Sequence, residues 1–164
     1  MKTCRRIALA AFGVVAALGC ATAALSQPDA RGFVRLSPEE VKWERYPGIG
    51  GELGMQQAIL YGDPTKPGVY VLRVRFPKGV MGHPHSHPDD RMAVVLKGTW
   101  WTGTGDVFDP SATAPLSVGG YMMHPKGQVH FDGAKDEEVI VQVVGYGPGG
   151  KISAHPGEPD FTQQ

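Results

Sequence analysis

Cysteine is scarce in this 164-residue chain, and the two present, Cys4 and Cys20, both fall within the first 20 residues. A product that loses this leader has no thiol, which excludes a structural disulfide and leaves packing to hold the fold. Net charge is also lacking, since 16 basic residues face 16 acidic ones. Such a balance argues against nucleic acid or an acidic membrane surface as a bulk electrostatic partner. The sequence has no long amphipathic helical pattern, internal repeat or low-complexity tract. It also lacks a nucleophile elbow, a phosphate-cradling glycine loop and paired catalytic carboxylates. The length leaves room for one domain around one core.

Glycine and proline are plentiful, at 23 and 14 residues. Many short elements joined by tight turns suit that composition, so an all-β single domain is expected.

The first residues carry Lys2, Arg5 and Arg6, then an apolar run from Ile7 to Leu18, then the small-residue stretch Ala21-Thr22-Ala23-Ala24-Leu25-Ser26. This is the layout of a signal peptide over residues 1–26. The apolar run is short for the roughly 20 residues that a membrane span needs, so no membrane span is expected. Cleavage near Ser26 gives a soluble secreted or periplasmic product. Leu18-Gly19-Cys20 also reads as a lipobox, which keeps open a lipoprotein with a lipid anchor at Cys20. Without the three leader cations the balance is 13 basic against 16 acidic residues, a formal charge of −3.

Residues 27–54 read as a lead-in. Within it, Ser37-Pro38-Glu39-Glu40 has the signature of a capping box opening a short helical turn, which is expected to pack Trp43 on the main body. From residue 55 the period changes to two: Tyr70, Leu72, Val74 and Phe76 alternate with Val71, Arg73 and Arg75. Further strands are expected at Met55–Tyr61, Met92–Trp101, Tyr121–His124, Val129–Phe131 and Glu138–Val144. Turn signals at 62–68 and 103–106 separate them. Short strands at this spacing describe a sandwich or closed barrel over residues 55–147, with alternate side chains pointing into one cavity. The Gly/Pro-rich segment 148–164, with His155, reads as a flexible C-terminal tail.

Five of the six histidines, His83, His85, His87, His124 and His130, lie between residues 83 and 130. On an extended segment His83, His85 and His87 stand at i, i+2 and i+4, so their rings face one side. A barrel can bring His130 alongside. Imidazoles converging from two strands fill part of the coordination sphere of one divalent transition metal, Fe2+, Mn2+, Zn2+ or Ni2+, and leave positions open.

The run from Gly79 to Gly98 resembles the first cupin motif: Gly79, five residues, His85-Ser86-His87, three residues, Arg91 where the family has Glu, six residues, Gly98. The run from Gly119 to His130 resembles the second: Gly119, five residues, Pro125-Lys126-Gly127, two residues, His130. The resemblance implies a cupin-type jelly-roll β-barrel with His85, His87 and His130 as metal ligands at the bottom of an open cavity. It also implies that sheets pair across subunits in a homodimer. Arg91 departs from the pattern, because a guanidinium stays protonated and does not coordinate metal. The expected site is therefore three-His, with Arg91 orienting an anionic substrate or pairing with Asp89 or Asp90. Replacement of the missing carboxylate by Asp89 or Asp90 is the weaker reading. The Asn that closes the second motif is Ala134 here.

His83 is weighed between a fourth ligand, a catalytic acid or base, and a solvated loop residue. His124, before Pro125, is expected to face solvent or a backbone carbonyl. Of the neighbours Trp100 and Trp101, one should point inward. Gln142 is divided between cavity and surface. The favoured function is a metal-dependent, dioxygenase-like oxidoreductase acting on a small-molecule substrate. A non-catalytic cupin that binds or senses a small ligand or metal is the alternative, and an isomerase or lyase using His83 as proton shuttle is the third.

Overall fold

Along Val139–Gly147 burial alternates: Val139, Val141 and Val143 are buried, while Ile140, Gln142 and Val144 are partly exposed. The same period runs through Arg91–Lys97, where Ala93 and Val95 are buried and Met92, Val94 and Leu96 are exposed. Side chains alternate across a strand, so each such segment presents one face to a common core.

The computed structural model describes residues 28–164. The leader, with its cleavage alternatives near Ser26 and at Cys20, lies outside the described residues. In chain order the strands are β1 (Glu44–Arg45), β2 (Gln56–Tyr61), β3 (Gly68–Phe76), β4 (Val80–Gly82), β5 (His85–Ser86), β6 (Arg91–Lys97) and β7 (Trp100–Thr104). They continue with β8 (Ala114–Leu116), β9 (Tyr121–His124), β10 (His130–Ala134), β11 (Val139–Gly147), β12 (Ile152–Ser153) and β13 (Phe161–Gln163). One sheet has the order β1-β2-β3-β11-β6-β9. The other has the order β12-β5-β10-β4-β13, with β7 on β10 and β8 on β7. All pairings are antiparallel, as a jelly roll requires. Between the sheets lies a core that includes Phe76, Val80, Val95, Trp100, Val139 and Val141.

Three expectations about the chain need correction. Met92–Trp101 is two strands in different sheets, because Gly98, at φ 73°, turns the corner between β6 and β7. A Cβ on Gly98 would meet the Glu138 carbonyl oxygen at 2.3 Å, so the corner demands glycine. The lead-in does open with a 3-10 turn at Pro38–Glu40, where the Ser37 N–H donates to Glu40 Oε2 at 2.8 Å. Trp43 also packs as expected, with the Arg75 guanidinium 4.0 Å above its ring. The lead-in also carries β1 and a five-residue helix at Gly48–Glu52, which periodicity over so short a span does not reveal.

The segment 148–164 is not a flexible tail. Its strand β12 pairs with β5 and its strand β13 pairs with β4, and Phe161 is buried in the core. The short strands β4 and β5 leave backbone N–H and C=O groups at a sheet edge, and this segment satisfies them.

Candidate metal centre

Antiparallel pairing sets His130 on β10 directly opposite His85 on β5, with ring centroids 4.4 Å apart. His87, two residues further on, brings its ring to 4.9 Å from His85 and 5.1 Å from His130. One nitrogen from each of the three rings lies within 4.8 Å of the others. The three residues are 3–4 % exposed. Burial opposes a charged imidazole and holds His85 and His87 at about 3, with His130 also below the usual range. All three are therefore neutral at physiological pH, as metal ligands must be.

Backbone carbonyls fix the orientation of each ring. His85 Nδ1 donates to the His83 carbonyl at 2.7 Å, His87 Nδ1 to Gly150, and His130 Nδ1 to Gln128 at 3.3 Å. With the ring proton on Nδ1, each Nε2 offers its lone pair. The Nε2 atoms of His87 and His130 are buried without a hydrogen-bond partner. Buried polar atoms in that state are costly, and a bound cation is the partner that suits lone pairs. The donor set fits a divalent transition metal. The segment expected as a tail supplies the carbonyl that orients His87.

Two histidines are not where spacing puts them. His83 does not join the triad: β4 ends at Gly82 and β5 begins at His85, so the extended run is broken at His83-Pro84. Proline restricts the backbone of the residue before it and interrupts strand continuity. The His83 ring stacks on Phe108 at 4.2 Å, and its Nε2 lies 3.4 Å from Thr162 Oγ1, away from the cavity lined by His85 and His87. His124, expected to face solvent or a backbone carbonyl, is instead 1 % exposed and stacks on His130 with centroids 3.8 Å apart. Its signal was legible in the alternation of β9, where Tyr121 and Met123 are exposed and Met122 and His124 turn inward.

Arg91 does reach the cavity, but it pairs with neither Asp89 nor Asp90. Asp90 Oδ1 accepts from the Lys126 N–H at 2.7 Å. Arg91 instead donates through Nε to His124 Nδ1 at 3.2 Å. Strand register explains the contact, because Tyr70, Gly145, Arg91 and His124 form one row across β3, β11, β6 and β9. A Cβ on Gly145 would meet the Tyr70 hydroxyl at 2.4 Å, so glycine lets Tyr70 lie across β11 beside the guanidinium.

Asp132, two residues beyond His130 on β10, also faces inward. Its Oδ1 accepts from Trp100 Nε1 at 3.2 Å, and its Oδ2 lies 3.6 Å from His130 Nε2. Trp100 is thus the inward member of the tryptophan pair, and Trp101 faces out beneath the Lys135 ammonium, 3.9 Å from its ring. Gln142 also faces out, accepting from Arg73 Nε at 3.1 Å. His124, His130 and Asp132 form a second group with metal-ligand spacing that shares His130 with the first. The cavity has a volume of about 280 Å³, and Leu72, Val74, Phe76, Val141 and Val143 supply much of its apolar wall. Lys151 also lines it, paired with Asp160 at 2.7 Å.

Residues 36–151 match the model of a family described as a domain of unknown function, DUF4437. The chain belongs to that family. No curated protein matches this DUF4437 chain in sequence. Among solved structures it is similar to the polyketide cyclase RemF from Streptomyces resistomycificus, at 17 % identity and a TM-score of 0.64 over 77 % of this chain and 88 % of that one. A cupin-like protein from Thermotoga maritima aligns at 23 % identity and a TM-score of 0.50 over 60 % and 76 % of the two chains. The DMSP lyase DddQ from Ruegeria pomeroyi aligns at 17 % identity and a TM-score of 0.58 over 73 % of this chain and 64 % of its own. This chain has a cupin-like fold. Among the described residues, no helix is long and apolar enough to cross a membrane.

Proposed function

We propose that this protein is a metal-dependent enzyme for a small organic molecule, with dioxygenase-like oxidation as its chemistry. In this reading His85, His87 and His130 hold one divalent transition metal. The observation that carries it is the shared polarity of the three rings, each with Nδ1 on a backbone carbonyl and Nε2 left as an acceptor. A divalent transition ion on three such ligands supplies open positions for dioxygen and a chelating substrate. Neutral imidazoles add no negative charge that would repel an enolate. The apolar wall limits water around the reacting group, and Arg91 stands where it orients the substrate.

Lyase or isomerase chemistry is the second reading, favoured by His124, whose buried Nε2 has no hydrogen-bond partner. His124 takes the place of His83 as the group able to pass a proton, and a lyase and a cyclase stand among the fold neighbours. The two chemistries separate on oxygen. Fe2+-dependent oxygen uptake with a panel of small enols and keto acids supports the first reading. Turnover of the same panel under argon replaces it with the second. A ligand recovered unchanged in both cases reduces the protein to a non-catalytic binding cupin.

Export belongs to the same proposal. Intact-mass analysis of the protein from the cell envelope should find a product beginning near residue 27, and a lipidated Cys20 would assign it to the membrane surface instead. The homodimer implied by the cupin resemblance is read by sedimentation of the same product.

A further inference from the structure

We propose that Arg91 and His124 form an anion-recognition pair, and that the cavity takes a small organic carboxylate with an apolar body. Arg91 donates through Nε to His124 Nδ1 at 3.2 Å. A neutral imidazole that accepts at Nδ1 carries its proton on Nε2. His124 Nε2 is buried without a hydrogen-bond partner, so it is a donor with nothing to donate to. This is the opposite polarity to His85, His87 and His130, which give their protons to carbonyls and offer lone pairs.

The Arg91 guanidinium puts a positive charge on the same wall. Among the described residues Arg91 makes no ion pair with a carboxylate. Asp132 is the one carboxylate on the cavity wall, and it is engaged by Trp100 Nε1 and faces His130. A half-buried cation, which Asp132 and the Tyr70 hydroxyl favour without a direct ion pair, and an unsatisfied N–H donor on the same wall match the two oxygens of a carboxylate, which accepts from both. The rest of the lining is mainly apolar, and about 280 Å³ is at the small end for a ligand pocket. The ligand is therefore a compact acid rather than a sugar or a nucleotide.

Arg91 also chooses between the two overlapping metal groups. Coordination at His124 Nε2 would move its proton to Nδ1, where it would meet the Arg91 N–H. The Arg91 contact thus keeps His124 off the metal and directs the ion to His85, His87 and His130. In the position where the cupin motif carries a ligand, this chain has a residue that withholds one. The proposal rests on the reading that the triad binds metal only for this selection; the carboxylate site stands on Arg91 and His124 alone.

Nitrogen-15 NMR of the imidazoles in the wild-type protein tests the pair directly. The His124 signal should report a proton on Nε2, before and after addition of one equivalent of Zn2+, while the His85, His87 and His130 signals move on metal binding. A His124 protonated on Nδ1, or one that loses its Nε2 proton to Zn2+, overturns the proposal. Failure of all four signals to move with Zn2+ overturns the metal reading instead and leaves the tautomer result standing. Calorimetry with benzoate and its uncharged isostere benzamide tests the ligand class. Benzoate should bind the metal-free wild type, benzamide should not, and Arg91→Gln should weaken benzoate by at least about tenfold. Equal binding of the two probes, or an unchanged benzoate affinity in Arg91→Gln, contradicts a carboxylate site. Because the tautomer and probe measurements use the wild type, they stand even if Arg91→Gln fails to fold.

Discussion

The two histidine-bearing segments hold their rings by different means. Over residues 83–87 the rings of His85 and His87 are tied through Nδ1 to backbone carbonyls, one local and one supplied by the C-terminal segment. Over residues 121–130, His130 is tied in the same way to Gln128, but His124 is held by a side chain, the Arg91 guanidinium. Backbone carbonyls only accept, so they turn a ring into a ligand; a guanidinium only donates, so it turns a ring into a donor. One residue type thus fills two chemical roles a few ångströms apart, and its hydrogen-bond partner decides which.

Removing one carbonyl-tied ring should have the largest effect. His130→Ala is expected to abolish stoichiometric metal, read by elemental analysis, whereas His155→Ala, on a ring that meets the Asp106 carbonyl outside the cavity, leaves it unchanged. Equal metal content in the two variants would break the ligand assignment. Deletion of residues 151–164 strikes the His87 support indirectly, by removing the strands that hold Gly150 beside it. Metal affinity should fall by roughly 10–100-fold, as for the loss of a ligand's outer partner. The thermal midpoint should fall as well. An unchanged midpoint would return the segment to the status of a loose tail.

Acid offers a milder probe. Burial holds His85 and His87 at about 3, against 6.5 for a free imidazole, so below pH 6.5 the unfolded chain takes up protons that the folded chain refuses. The metal-free protein should keep its full stability above about pH 6.5 and lose it steadily as the pH falls toward 3. A thermal midpoint flat across that window would mean that the rings are not buried neutral. Gly145→Ala tests the row that positions Arg91. The added Cβ meets the Tyr70 hydroxyl, and overpacking of this kind costs about 1–3 kcal/mol, measurable by chemical denaturation. The smallest effect belongs to His83→Ala, which should leave metal content unaltered, since that ring stacks on Phe108 outside the cavity.

The strands of the barrel and the motif spacing of His85, His87 and His130 were legible in the sequence, because period-two burial and fixed intervals are local properties. His83 was misplaced because the i, i+2, i+4 rule assumes one continuous strand, and Pro84 breaks it. His124 was missed for the opposite reason: its own strand pointed it inward, but the adjacent Pro125 suggested a loop. The partnership of Arg91 with His124 depends on the β6–β9 register, which joins residues 33 positions apart and leaves no local mark. The C-terminal segment misled through composition, since glycine and proline describe turns but say nothing of an unpaired sheet edge waiting nearby.

Anomalous diffraction from crystals grown with Zn2+ locates the ion. A single peak is expected about 2.0–2.1 Å from Nε2 of His85, His87 and His130, with His124 outside bonding distance. A peak bonded to His124, His130 and Asp132 would contradict that assignment, and Arg91 would then have to leave His124 Nδ1 to make room for the shifted proton.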